Sequence, residues 1–188
     1  FDKKETTLML RNGGGDCYGT KLKDVLTQDL IKDRWVAVSD FQPCQVFLNG
    51  EYWGLYMIQE RVGESMISNQ YNVPEENIIV MKVEEVVAGE ETDSALWDEV
   101  MEFVKETDLS VAENYEKVEQ MIDIQSCIDH YAFQVYVANC DSLRNNQAKW
   151  RVKKTGDGLY EDGKWRWIIY DVDSSAGGIP GLTTAEVD

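Results

Sequence analysis

Six apolar residues at helical spacing, Ile124, Cys127, Ile128, Tyr131, Val135 and Ala138, predict a helix over about Ile124–Asn139 that leads straight into Asp141. The chain then switches to strand patterning. Ala148–Val152 and Lys164–Tyr170 are the two strand-like runs, joined by a polar, Gly-rich connection over Lys154–Gly163. The second run is apolar until it delivers Asp171 and Asp173. A helix, an acidic loop and a hairpin in that order are expected to make the helix central and largely buried, because its stripe is wide and it must hold Asp141 rigidly. Asp141 is then expected within about 12 Å of Asp171, since both must converge on one reacting group.

The first half reads as mixed strand and helix. Thr6–Arg11 predicts a strand ended by Asn12-Gly13-Gly14-Gly15, which reads as a flexible turn. Leu22, Val25, Leu26 and Leu30 predict an amphipathic helix over about Thr20–Lys32. Gln45–Leu48 and Tyr52–Ile58 flank Asn49-Gly50, a hairpin signal because both turn residues need positive φ. A short helix near Glu64–Gln70 and a strand over Asn77–Val83 follow. Leu96, Trp97, Val100, Phe103 and Val104 form a further helical stripe with Thr92 or Asp93 as its cap. Val118, Met121 and Ile122 form another behind Ser110. The fold class expected is α+β, with a mainly antiparallel sheet and packed helices.

No repeat or linker divides the 188 residues, which suit one domain. With 18 Lys+Arg against 35 Asp+Glu the net charge is −17, which argues against nucleic acid and against an anionic membrane surface. No apolar run approaches the length of a bilayer span. Cys17, Cys44, Cys127 and Cys140 include no C-x-x-C pair and His130 is the only histidine, so a Cys/His zinc site is disfavoured. Free buried thiols are favoured over disulfides, and mid-helix His130 is read as structural. Trp150, Trp165 and Trp167 are read as core on one face of a hairpin and ordinary surface on the other. Phe1 in place of a start methionine marks a processed product or a fragment.

Candidate chemistry gathers late in the chain. Asp141 follows the helix in a loop, Asn146 lies five positions on, and Asp171 and Asp173 end the hairpin. Protein kinases use the same order of parts: an aspartate for the substrate hydroxyl, an asparagine for one Mg²⁺, and a later aspartate for metal bridging the phosphates. Phosphoryl transfer is mostly positioning and charge neutralisation, so hard oxygen ligands are the equipment it needs. On pattern alone, an equal reading is that Asp141, Asn145 and Asn146 merely cap and turn the helix end. A glycoside hydrolase with paired carboxylates and Trp platforms is a third, and no block points to a sugar subsite.

Four blocks shift that balance: LRNGGGD (Leu10–Asp16), VFLNGEYWGLYMIQERV (Val46–Val62), NCDSLRNNQAKWR (Asn139–Arg151) and KWRWIIYDVD (Lys164–Asp173). Together they resemble the CotH family of spore-coat-type atypical protein kinases, also widespread in secreted bacterial proteins. The resemblance implies a kinase-like fold that uses ATP and Mg²⁺ or Mn²⁺ to phosphorylate protein serines. It implies Asp141 as the catalytic aspartate, Asn146 (with Asn145) and Asp171 on the metal, and Asp173 beside them. Glu60 is expected to organise the nucleotide site, Arg11 to face phosphate or make a structural ion pair, and Lys82 to be the strand-borne lysine on the nucleotide side or an ordinary surface lysine. A single domain over 1–188 follows, truncated at both ends, with 1–90 nucleotide-lobe-like and 91–188 catalytic-lobe-like. The implied protein is a monomer, extracellular, at the cell surface or in a spore coat. The alternative is an inactive binding module that keeps the fold without turnover.

Overall fold

Asn49 and Gly50 adopt φ of 52° and 88°, the left-handed pair a two-residue hairpin turn requires. They join β2 (Phe41–Leu48) to β3 (Glu51–Glu60), and β1 (Leu8–Arg11) lies on the other side of β3, antiparallel, with Arg11 opposite Met57. The structure, a computed structural model, describes residues 7–142 and 145–175. A second antiparallel sheet has the order β5 (Glu85–Ala88), β4 (Ile78–Lys82), β6 (Ala148–Val152), β7 (Arg166–Ile168). Among the described residues there are thus two sheets where one was expected, and β5 is an addition. A lobe boundary at residue 90 would pass through the second sheet, because β4 pairs directly with β6.

Both faces of the second sheet are covered. Strand alternation sends Val80, Trp150 and Ile168 to one side, against Met66 and Ile67 of α2 (Glu64–Tyr71). Ile79, Met81, Trp165 and Trp167 go to the other side, against Val100 of α3 (Ala95–Glu106) and Val118 of α4 (Ala112–Met121). The expected surface face of the tryptophan hairpin is therefore absent. All three tryptophans are buried, each worth about 1.5–3 kcal/mol of apolar burial. The four cysteines are free and half-buried. Among the described residues no helix is long and apolar enough to cross a membrane.

Two expected caps serve elsewhere. Asp93 closes a reciprocal box with Glu90 around the turn Glu91–Ser94 and pairs with Lys153 at 3.0 Å. Ser110 bonds Asp108 rather than the amides of α4.

The largest departure concerns α5 (Ile124–Tyr136) and α1 (Lys23–Ile31). The apolar stripe of α5 was expected inside, yet Ile128 is 55% and Val135 72% exposed, while Ser126, Asp129, His130 and Gln134 are buried. On α1, Leu26 and Leu30 are 52% and 73% exposed, while Asp24, Thr27 and Gln28 are buried. For Ser126 and Asp129 the reason is visible in their partners. Ser126 Oγ accepts from the Trp167 amide at 2.8 Å, and Asp129 accepts from Arg34 at 2.7 Å and the Trp35 amide at 3.1 Å. Buried polar groups with charged or amide partners hold these helix faces inward, since leaving such partners unpaired costs about 1–3 kcal/mol each.

Candidate functional site

After β7 the chain passes through Tyr170, Asp171, Val172 and Asp173. Val172 is buried, and its amide donates to Asp24 Oδ1 at 2.8 Å, which pins this segment onto α1. Asp171 holds a left-handed backbone, φ 53°, a conformation that costs a non-glycine residue of order 1 kcal/mol. Arg11, at the end of β1, joins the acidic groups. Its Nη2 bonds Asp171 and lies 3.0 Å from Asp173 Oδ2, and its Nη1 lies 3.6 Å from Asp24 Oδ2. Asp24 also accepts from Gln28 and Gln59, each at 3.1 Å. Three carboxylates thus surround one guanidinium.

The electrostatics follow from that crowding. Burial works against the charge on Arg11, but Asp24, Asp171 and Asp173 outweigh it and raise its pKa. Burial raises the pKa of Asp171; Arg11 opposes the shift, and Asp173 and Asp24 add to it. Tyr170 is pushed up to about 12 by burial, then by Asp171 and Asp141.

Asp141 is brought to the same place by Asn146. The Asn146 amide Nδ2 donates to Asp141 Oδ2 and to the Asp171 carbonyl, both at 3.1 Å. Those two oxygens therefore lie within twice that distance of one another, well inside the expected separation. Asn145 Nδ2 donates to the other Asp141 oxygen.

The glycine loop is part of the site, not a free turn. The Gly15 amide donates to Asp173 Oδ2 at 2.7 Å. A Cβ on Gly14, whose φ is +57°, would run into that same oxygen and into Arg11 Nη2. Lys82, ending β4, sets its ammonium 4.6 Å from the Tyr170 ring centroid. Burial lowers its pKa, Arg61 and Arg11 add to that, and Asp171 opposes it.

Glu60 stands apart. It is fully buried three register positions along from Arg11, its carboxylate accepting from the Asp40 amide at 3.0 Å and from Gln70 at 3.4 Å. It braces the end of β3 against the loop before β2.

Arg11, Lys82, Asp141, Asn146, Asp171 and Asp173 are thus assembled from four segments. Sequence reasoning missed Asp24, Gly14, Gly15 and Tyr170. Asp24 carries no local signal, since an aspartate in a first helical turn is ordinary. The glycines carry only a turn signal in the sequence.

Asp171 and Asp173, whose carboxylates meet at Arg11, and Asn146, tied to the Asp171 carbonyl, offer oxygen atoms of the kind Mg²⁺ or Mn²⁺ takes. Arg11 already places positive charge where the two carboxylates converge, so the residues fit a divalent cation there. No group of three His, Cys, Asp or Glu side chains able to hold a metal occurs among the described residues.

The chain matches the family described as CotH kinase protein over residues 2–186, and it belongs to that family. No curated protein matches it.

Proposed function

We propose that this member of the CotH family transfers the γ-phosphoryl group of ATP to the hydroxyl of a protein serine, with Mg²⁺ or Mn²⁺. The observation that carries the reading is the Asn146 amide, which ties Asp141 to the backbone of Asp171. A proton acceptor and a metal-side carboxylate held at one point are what phosphoryl transfer asks of a protein.

In this reading Asp141 orients the serine hydroxyl and takes its proton as the oxygen bonds to the γ-phosphorus. The bond to the β-phosphate oxygen breaks and ADP leaves. Asp171, Asp173 and the carbonyl oxygen of Asn146 would hold the divalent ion, which supplies charge neutralisation to the phosphates. Arg11 and Lys82 supply further positive charge. The loop Gly13–Gly15 steadies Asp173 through the Gly15 amide. Glu60 acts from the interior by fixing β3. The β1–β3–β2 sheet with its glycine loop is the nucleotide side, and α3–α5 with the Asp141 loop the catalytic side, of one domain working as a monomer. A secreted, surface or spore-coat setting belongs to the same proposal.

The test is radiolabelled phosphate incorporation into serine-bearing proteins from Mg-ATP, with wild type, Asp141→Ala and Asp171→Ala compared. Transfer by wild type and loss in both variants supports the roles. Equal transfer by all three overturns the residue assignment, and no transfer by wild type to any substrate overturns the kinase reading in favour of a binding module.

A further inference from the structure

Asn139, two residues before Asp141, is buried, 3% exposed. Its four hydrogen-bonding groups are all used. The amide donates to the Gln134 carbonyl at 3.0 Å, and Nδ2 donates to Gln134 Oε1 at 3.0 Å. The carbonyl accepts from Ser142 Oγ at 3.2 Å, and Oδ1 accepts from the Asp141 amide at 3.2 Å. Ser142 and Gln134 are themselves buried.

We infer that Asn139 is a positioning residue for Asp141, and that Gln134 on the buried polar side of α5 fixes Asn139 in turn. The helix ends at Tyr136, and Ala138 takes a left-handed backbone, φ 48°, which folds Asn139 back under the last turn. There its side chain must donate toward Gln134 and accept from Asp141 at once. A short amide does both; an aspartate keeps the acceptor and loses the donor, and an apolar residue loses both. Asn145 and Asn146 hold the Asp141 carboxylate, but both belong to the loop beyond it. Asn139 is the link from Asp141 to the rigid helix. It also explains why α5 buries Gln134 while leaving Val135 and Tyr136 exposed.

The inference rests on the proposed phosphoryl transfer, in which displacement of a reacting group by about 1 Å can cost about 10²-fold in rate. A role confined to stitching the helix end would lower stability and leave turnover per folded molecule intact. The experiment uses Asn139→Ala, Asn139→Asp and Gln134→Met, alone and combined with Asp141→Ala. Expected is a fall in kcat of about 10–100-fold for Asn139→Ala, with KM for ATP within about twofold and a smaller fall for Asn139→Asp. In the Asp141→Ala background the same changes should cost nothing further, because the group they position is gone. An unchanged kcat, or an equal loss in both backgrounds, overturns the inference. Hydrogen exchange at the Asp141 amide gives a readout without turnover: protection present in wild type and lost in Asn139→Ala and Gln134→Met is expected, and protection unchanged in both refutes the link. If wild type transfers no phosphate, the kinase reading fails, and exchange alone still decides whether Asn139 fixes Asp141.

Discussion

The guanidinium of Arg11 bonds the carboxylate of Asp171, 160 positions away in the chain. The pair closes the first strand onto the segment after the last one, and it draws Asp173 and Asp24 to the same positive charge. One residue therefore holds together groups that would otherwise repel.

Replacing Arg11 should expose that repulsion. Arg11→Gln leaves three carboxylates facing one another, and breaking a buried pair from one side typically costs about 3–5 kcal/mol. A partly exposed cluster should lie at the low end of that range. Mg²⁺ should compensate, so the melting temperature of Arg11→Gln is expected to rise more with added MgCl₂ than that of wild type. Equal shifts in both proteins would separate Arg11 from the metal site.

Asp141 and Asp171 should fail differently. Asp141→Ala is expected to lower kcat by about 10²–10⁴-fold with nucleotide affinity little changed, as for a positioned acid–base group. Asp171→Ala should weaken metal-dependent nucleotide binding and turnover together. Calorimetry of Mg-ATP binding beside steady-state kinetics separates the two. Tight Ca²⁺ binding without nucleotide at Asp171 and Asn146 would count against the kinase reading.

Gly14 tests the glycine loop. Gly14→Ala places a methyl group against Asp173 and Arg11 in a left-handed backbone, and a cost of about 1–3 kcal/mol is expected. Asp173 must shift to make room, so nucleotide affinity should fall with stability. Gly50→Ala is the control: it also has positive φ, 88°, but meets nothing within 4 Å. It should destabilise without changing nucleotide affinity.

His130 should govern part of the acid response. It is fully buried, and burial holds its pKa down to about 4. The unfolded chain takes up the proton first, near its ordinary value, so stability falls as pH drops from about 6.5 toward 4. At about 1.4 kcal/mol per pH unit, the total is about 3 kcal/mol. Urea melts between pH 7 and 5 should show a shallower decline for His130→Phe than for wild type. Parallel curves would mean that another group carries the effect.

Much of the secondary structure was legible in the chain itself. Asn49-Gly50 named its hairpin because asparagine and glycine both accept the positive φ a two-residue turn needs. The helical periods of α3 and α4 and the strand patterns of β4 and β6 are local properties, and so is the order Asp141, Asn146, Asp171. What the chain alone did not disclose is which side of α1 and α5 turns inward. An apolar stripe reports the area a helix could bury, whereas Asp24, Ser126, Asp129 and Gln134 are held inside by Arg11, Trp167, Arg34 and Asn139. Three of those partners lie outside the helix they hold, on remote segments. Only folding in three dimensions brings their donors within reach, and a buried polar group left without one would cost about 1–3 kcal/mol.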